Sequence, residues 1–137
     1  MICLDTNAVI AVLNNRTSPV RSRIVAALNQ RLALSISTIV LFELRYSAAK
    51  SANPERNVQR IADFLAGDIT LLPFEPADAE EAGDIRAALE RAGAPIGPYD
   101  ILIAAQARRR AALLVTANAR EFARIPGLLM EDWALPE

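Results

Sequence analysis

Histidine is absent from this chain, and cysteine occurs once. Histidine is the commonest general base in enzymes and a frequent metal ligand, so its absence excludes the usual routes to acid–base and zinc chemistry. A zinc site built from one cysteine and no histidine is not expected. Any catalysis must therefore use carboxylates, hydroxyls, arginines, the single lysine Lys50, or a hard metal ion held by oxygen atoms.

Long apolar segments are missing as well. No run approaches the roughly 18 residues of a membrane span, and the first ten residues carry Asp5 where a signal peptide would carry basic residues. The single Cys3 cannot form an internal disulfide, which suits a reducing compartment. We therefore expect a soluble, cytoplasmic protein.

The chain has 137 residues, of which 53% are hydrophobic, and this is enough for one domain covering 1–137 with a substantial core. Its net charge of −1 argues neither for nor against nucleic acid. Every cation except Lys50 is arginine. The run Arg108–Arg110 and the cluster Arg16, Arg21 and Arg23 suit phosphate binding, but such clusters are also typical of solvated helix faces.

Short apolar runs alternate with stretches of helical period along the whole chain. Strands are predicted at 2–4, 32–36, 69–72, 113–116 and 128–130. Helices are predicted from Ala8, from Ser37 or Thr38 to Ala49, and over 54–66, 76–92 and 99–112. This alternation predicts a three-layer α/β sandwich with a central, mostly parallel sheet flanked by helices. Ligands in such folds gather at the carboxyl ends of the strands.

Four acidic residues fall near those strand ends or the helices that follow: Asp5, Glu43, Asp100 and Glu121. Each has an ordinary explanation when taken alone. Asp5 is a good helix cap, Asp100 complements a helix dipole, and Glu121 is typical of a surface acid. Glu43 interrupts an apolar run and so needs either solvent or a partner.

Five segments taken together resemble the PIN-domain ribonucleases, in particular the VapC-type toxins of bacterial toxin–antitoxin pairs. In chain order they are LDTN, LFELRYSAAK, IGPYDILIAAQA, LLVTANAREFARIPGL and MEDW. The resemblance runs from Met1 to Trp133 and covers essentially the whole chain. A single segment would be weak evidence, but five in the family's order and spacing are specific.

The resemblance implies a metal-dependent endoribonuclease that holds Mg²⁺ or Mn²⁺ in an acidic cluster. The family's acids match Asp5, Glu43 and Asp100, of which Asp5 and Asp100 are predicted as direct ligands and Glu43 as a ligand or water-orienting base. Many relatives have a fourth acid where this chain has Asn118, so Glu121 is predicted to serve instead, through water. A cluster of carboxylates repels itself and is relieved by a divalent cation, which agrees with this assignment.

The resemblance also implies the surroundings of the site. Small polar residues are expected to line the pocket beside the acids: Thr6, Asn7, Thr116 and Asn118. Three arginines are predicted contacts to substrate phosphates, without a motif that fixes them: Arg16, Arg45 and Arg120. The sequence does not identify which RNA is cut.

Two other functions remain open at this stage. An aspartate-based phosphotransfer domain also places an acid after its first strand, but it needs a lysine late in the sheet, and the only lysine is Lys50. A catalytically silent PIN-like binding module would keep the fold and use its acids to hold a basic partner. The presence of Asp5, Glu43 and Asp100 together favours the enzyme.

The resemblance finally implies an assembly. Similar toxins usually form homodimers and are inhibited by a small antitoxin whose C-terminal segment lies across the acidic groove. We expect such a partner to place an Arg or Lys near Asp5 and Asp100. The apolar segment 36–46 is predicted to offer a contact surface.

Overall fold

The computed structural model describes residues 1–136 and contains one five-stranded sheet. Its strands are β1 (Ile2–Leu4), β2 (Leu34–Ser37), β3 (Ile69–Leu72), β4 (Leu113–Val115) and β5 (Leu129–Glu131). The strand order is β3-β2-β1-β4-β5, and every neighbouring pair is parallel. The predicted parallel central sheet is thus confirmed.

The helices that connect the strands flank this sheet and complete the predicted three-layer α/β fold. They are α1 (Thr6–Leu13), α2 (Pro19–Asn29), α3 (Thr38–Ala49), α4 (Pro54–Leu65), α5 (Pro76–Arg91), α6 (Pro98–Arg109) and α7 (Ala119–Phe122). Across residues 1–136, no helix is long and apolar enough to cross a membrane.

Several element boundaries differ from the sequence prediction. The prediction has no helix at α2, where Ser18 accepts a hydrogen bond from the Arg21 amide and Pro19 opens the helix. Its interspersed arginines and serine mask the apolar period, and only Ile24 and Ala27 are buried. The second strand begins at Leu34 rather than Leu32 and includes Ser37. The helix predicted to reach residue 112 ends at Arg109, since Ala111 has a positive φ of 50°.

The sheet reverses its winding between β1 and β4. From β1 the chain builds outward to β2 and β3 on one side, then crosses to place β4 and β5 on the other. A crevice forms at the carboxyl ends of strands where the order reverses in this way. Asp5 directly follows β1 and Thr116 directly follows β4, so both residues lie at this point.

Ser37 joins the sheet to the helix that carries Glu43. It is the last residue of β2, and its side chain accepts a hydrogen bond from the Ile39 amide at 2.9 Å as the N-cap of α3. No loop residue separates β2 from α3. The rotation of α3 about its axis is therefore fixed relative to the sheet, and this rotation sets the direction in which Glu43 points.

A buried ion-pair cluster fastens α6 to the start of α5. The Asp78 side chain is fully buried and accepts hydrogen bonds from Arg109 at 2.7 Å and Arg110 at 2.9 Å. It also accepts from the Glu75 amide at 2.9 Å within a capping box. Burial raises the pKa of Asp78, but the hydrogen bonds from Arg110, Glu75 and Arg109 outweigh burial and lower that pKa below its usual value.

The arginine run is therefore structural. Arg108 donates to Glu81 at 2.6 Å and to the Pro126 carbonyl at 3.1 Å, while its two neighbours pair with Asp78. Arg23 of the N-terminal cluster is also engaged, with Glu131 at 3.7 Å and over the ring of Trp133 at 4.9 Å. The sequence interpretations, phosphate binding or a solvated helix face, did not include these structural contacts.

Replacing Asp78 by Asn tests this cluster. The variant keeps the shape and an acceptor oxygen but leaves Arg110 without its anion and Arg109 with only Glu75, so we expect a loss of about 2 kcal/mol in the free energy of unfolding. Since the pKa of Asp78 is depressed, its contribution is present above pH 3.8 and declines as the pH falls below that value. Urea unfolding at pH 7 and at pH 3 measures both effects.

Glu90→Gln, which weakens the exposed Arg86–Glu90 pair, is the control, with an expected cost under about 0.5 kcal/mol. An equal cost for the two variants would contradict this role of Asp78.

Candidate active site

Asp5 is held from two directions at the junction of β1 and β4. Its Oδ1 accepts a hydrogen bond from the Thr6 amide at 2.7 Å, and its Oδ2 accepts one from the Thr116 hydroxyl at 2.8 Å. The residue is only 5% exposed. Asp5 is thus both the N-cap of α1 and part of a buried polar cluster, so the two sequence interpretations of LDTN are compatible.

Thr116 owes its orientation to the residues that follow β4. The Asn118 amide donates to the Thr116 hydroxyl oxygen at 3.0 Å, which leaves the hydroxyl proton for Asp5. The Asn118 side chain donates to Glu121 at 3.1 Å. A chain of hydrogen bonds therefore runs from α7 to the end of β1 and links both residues that were candidates for the fourth position.

Glu43 joins the same cluster through Thr6. The Thr6 hydroxyl donates to the Glu43 carboxylate at 3.0 Å, while the Thr6 amide donates to Asp5. Thr6 thus donates to both carboxylates and lies between them. This contact also answers why a glutamate interrupts the apolar face of α3, since its carboxylate lies at the site and not in the core.

The four acids influence one another electrostatically. Burial, followed by the charges of Asp5, Glu43 and Glu121, raises the pKa of Asp100 from 3.8 to about 6. Burial also raises the pKa of Glu43, with a further contribution from Asp5 and a partly opposing hydrogen bond from Thr6. For Asp5, burial raises the pKa more than its two hydrogen bonds lower it. All four predicted acids therefore share one local field.

Helix N-termini reduce this mutual repulsion. Asp5 caps α1, Asp100 lies in the first turn of α6, and Glu121 lies in the first turn of α7. The amide dipoles at a helix N-terminus favour negative charge. The repulsion is only partly offset, because the pKa of Asp100 remains raised.

These acids face an open pocket of about 770 Å³. Its wall includes three predicted acids and three predicted polar residues: Asp5, Glu43, Asp100, Thr6, Asn7 and Asn118. Thr116 does not line the pocket but is hydrogen-bonded to Asp5, which does. Glu121 is linked to the pocket in the same way, through its hydrogen bond with Asn118. The structure thus brings together the acidic and small polar residues predicted from the sequence.

The predicted arginine contacts are not part of this wall. Arg16, Arg45 and Arg120 are exposed, and none of them lines the pocket in the part of the chain that the structure describes. They lie in segments next to site residues in the sequence, but their side chains occupy the outer surface. A role in binding more distant phosphates remains a prediction.

Residues that the sequence analysis did not assign complete the wall, and all but Ser47 are aromatic or aliphatic: Ile10, Phe42, Tyr46, Ser47, Tyr99 and Ala117. Phe42 directly precedes Glu43, and Tyr99 directly precedes Asp100. This repeated order of an aromatic residue and then an acid was the signal available in the sequence. The predicted surface over 36–46 needs correction, because Val40 and Leu44 are buried in the core and Ile36 lies within the sheet.

The carboxylates of the pocket suit a hydrated cation that prefers oxygen ligands. Within residues 1–136, no group of three His, Cys, Asp or Glu side chains is arranged tightly enough to enclose an ion. Mg²⁺ usually needs no such cage, because it is bound by one or two carboxylates and keeps several waters. Asp5, Glu43 and Asp100 offer carboxylates to an open pocket with room for those waters. The residues therefore fit Mg²⁺ or Mn²⁺ and do not fit zinc.

Comparison with known proteins agrees with this fold and site. The PIN-domain model matches residues 2–128. The chain is 45% identical to the tRNA(fMet)-specific endonuclease VapC of Shigella flexneri, over 96% of each chain. It is 43% identical to ribonuclease VapC2 of Haemophilus influenzae, over 95% of this chain and 96% of the relative. The DNA-bound VapBC structure from Salmonella typhimurium superposes with a TM-score of 0.87 at 41% identity, covering 96% of this chain and 97% of the other.

The parallel sheet carries acids at the point where its strand order reverses, and the PIN-domain model matches nearly the whole chain. This protein therefore belongs to the PIN-domain family. Within that family it is a VapC-type toxin of the ribonuclease class. The resemblance found in the sequence is thereby confirmed.

The raised pKa of Asp100 predicts the effect of Asp100→Asn on the metal-free protein. A shift from 3.8 to about 6 corresponds to about 3 kcal/mol, and solvent screening at this half-buried group reduces the effect to on the order of 1 kcal/mol. Because the folded pKa is raised, the ionised carboxylate costs stability above pH 6, and the cost disappears below pH 3.8. Asp100→Asn should therefore melt a few degrees higher than the native protein at pH 7.5 in EDTA, with no difference near pH 3.5. A lower melting temperature at pH 7.5 would contradict the crowding of charges.

Proposed function

We propose that this protein is a Mg²⁺- or Mn²⁺-dependent endoribonuclease that acts as the toxin of a toxin–antitoxin pair. The observation that carries the proposal is that Asp5 and Glu43, linked by hydrogen bonds through Thr6, face the same pocket as Asp100, while Thr116 holds Asp5 from behind. A capping role for Asp5 would not require a second carboxylate on the other side of Thr6. The family of the chain supports the same reaction.

The cation, when bound, would activate a water and stabilise negative charge on the scissile phosphate. Asp5 and Asp100 would hold it, with Glu43 as a further ligand or as the base that orients the attacking water. Thr116 keeps Asp5 fixed by a buried hydrogen bond. Glu121 acts through Asn118 and contributes negative charge at the edge of the site.

The acid–base role suits Glu43 on two grounds. Its pKa is raised by burial and by Asp5, so it accepts a proton more readily than a solvated glutamate does. Its Oε1 is occupied by the Thr6 hydroxyl, which fixes the orientation of the carboxylate and leaves Oε2 for a water. Hydrolysis then needs no histidine.

The proposed partners are an RNA and a small cognate antitoxin, and the proposed state is a homodimer in the cytoplasm. The name of the Shigella relative makes tRNA(fMet) the first RNA to test. An antitoxin that enters this pocket would gain most from a cationic side chain, because Asp5, Glu43 and Asp100 line the pocket and no arginine or lysine does so in the described residues. The structural relative from Salmonella typhimurium is a VapBC assembly, which supports an antitoxin here.

Removing the metal should stop cleavage. Purified protein is incubated with tRNA(fMet) and with total RNA, and new ends are sequenced with Mg²⁺, Mn²⁺, Ca²⁺ or EDTA. Cleavage is expected with Mg²⁺ and Mn²⁺, far less with Ca²⁺ because of its longer bonds and larger coordination shell, and none in EDTA. Cleavage that persists in excess EDTA would overturn the metal-dependent mechanism.

Asp5→Asn is the matched variant for the same assay. Asparagine caps a helix about as well as aspartate, so a purely structural Asp5 would tolerate the change. A metal ligand would not, and cleavage should fall by at least about 100-fold, the size of effect seen when a group that stabilises the transition state is lost. Glu90→Gln, on the exposed face of α5, should cleave at the native rate. Native activity in Asp5→Asn would assign LDTN to capping alone.

Assembly is tested by light scattering at micromolar concentration. A mass of two chains is expected, and a monomer would contradict the dimer. Co-expression with a small protein encoded beside this one should suppress cleavage, and Asp100→Asn should weaken that complex because it removes one of the charges that attract a cationic side chain. The absence of any neighbouring small protein that inhibits cleavage would contradict the antitoxin.

A further inference from the structure

We propose that Phe42 and Tyr99 form a stacking surface for one nucleobase beside the scissile phosphate of the RNA. The inference rests on the proposed ribonuclease function and extends it to how the substrate is held. It assigns the substrate strand to an unpaired, unstacked conformation at the site.

The first observation is the distribution of aromatic side chains. The chain has only seven aromatic residues, 5% of its length. The three that are exposed all line the acidic pocket: Phe42 at 50%, Tyr46 at 59% and Tyr99 at 47%. Exposed aromatic surface is usually left where a ligand or partner covers it. The remaining aromatics are buried or partly buried in the body of the fold.

The second observation is the arrangement of two of these rings. Phe42 and Tyr99 lie 5.4 Å apart between ring centroids, with planes inclined by 58°. They belong to α3 and α6, and each immediately precedes an acid of the site. Because Phe42, Tyr99 and both acids line one pocket, a phosphate bound at the acids would bring its nucleoside into the same pocket as the rings. Tyr46 is less suited, because the Lys50 ammonium lies 4.7 Å from its ring centroid and already occupies one face.

The third observation is the electrostatic character of the pocket. RNA-binding surfaces usually attract the phosphate backbone with Lys and Arg. Here the wall carries three carboxylates, and no Arg or Lys lines it within residues 1–136. A polyanion would be repelled except where a cation intervenes. Stacking on an aromatic ring does not depend on attracting phosphate and is available to every base, so it supplies affinity that this wall otherwise lacks.

The size of the pocket agrees with this occupant. Its volume of about 770 Å³ far exceeds that of a hydrated ion and lies in the range of pockets that hold small organic ligands. Bases in RNA helices are stacked on one another, and proteins reach them mainly in loops, bulges and ends. The substrate at this site is therefore a single-stranded segment.

The test pairs protein variants with RNA variants. A hairpin RNA that the native protein binds is prepared in versions that each carry one abasic nucleotide at a different position of the loop. Binding is measured by fluorescence anisotropy with Ca²⁺ in place of Mg²⁺, and cleavage is measured separately with Mg²⁺. The variants are Phe42→Leu and Tyr99→Leu, which keep apolar volume but lose the ring, and Tyr99→Phe, which keeps the ring. Leu129→Ala, at an exposed position on β5, is the control.

One abasic position should weaken binding to the native protein by roughly 5- to 100-fold, the range for one base stacked on an aromatic residue. The same abasic change should have little effect in Phe42→Leu or Tyr99→Leu, because the interaction is already lost. Leu129→Ala should behave as the native protein does, and Tyr99→Phe should retain the abasic effect because it keeps the ring. Melting temperatures of all variants establish that they are folded.

Two results would overturn the inference while leaving the ribonuclease intact. Equal binding of all abasic RNAs by the native protein would exclude a stacked base. Leu variants that bind RNA normally but lose the dimer or the antitoxin complex would assign the rings to a protein interface. A native protein that binds RNA with the predicted abasic effect but does not cut it would instead contradict the proposed function alone.

Discussion

The hydrogen bond from Thr116 to Asp5 joins the ends of two neighbouring parallel strands at the place where the sheet reverses its winding. It is buried, and it depends on register, since β1 and β4 pair Leu4 with Val115 and so bring the next residue of each strand together. A shift of one residue in the pairing of β1 with β4 would move the Asp5 side chain to the other face of the sheet. The geometry of the acidic pocket is thus a consequence of strand register. The hydroxyls of Thr6 and Thr116 donate hydrogen bonds to the carboxylates and so fix their positions.

Crowded carboxylates give the site its chemistry and oppose its folding. Burial raises the pKa values of Asp100, Glu43 and Asp5, and repulsion from neighbouring acids raises those of Asp100 and Glu43 further, so the metal-free protein holds these charges at a cost in stability. Helix N-termini and hydroxyl donors offset part of the cost. The Asp78 cluster, at the other end of α6, is the opposite case, because two arginines there compensate one buried carboxylate. The two ends of α6 therefore differ, because Asp100 at its start is destabilised by neighbouring acids, whereas Arg109 at its end helps to stabilise the buried Asp78 of α5.

Topology accounts for the position of Asp5. A residue that directly follows a parallel strand lies at the carboxyl edge of the sheet, so Asp5 could be placed from the strand pattern alone, whereas Thr116 was predicted inside the fourth strand and its place beside the pocket came from the family resemblance. Resemblance to a known family was needed for Glu43 and Asp100, whose helices give no signal for which face meets the edge. The arginines could not be placed, because a long side chain takes its direction from tertiary partners. Asp78 and Glu81, far from Arg108–Arg110 in sequence, determine where that run points. The helix α2 escaped prediction for a related reason, since only two of its residues are buried.

The arginine run and the aromatic pair together change the interpretation of how an acidic protein meets RNA. Arg108–Arg110 is the segment that most suggests nucleic-acid binding from composition, yet its guanidinium groups are committed to α5 and to the Pro126 carbonyl. The pocket itself offers carboxylates and aromatic rings. Under the proposed function, attraction to the phosphate backbone at the point of cleavage would come through the cation that the carboxylates are proposed to hold. A duplex would present only its phosphates to such a surface, whereas an unpaired nucleotide would present a phosphate to the acids and a base to the rings. The proposed preference for single-stranded RNA would thus depend on the aromatic wall as much as on the proposed metal site.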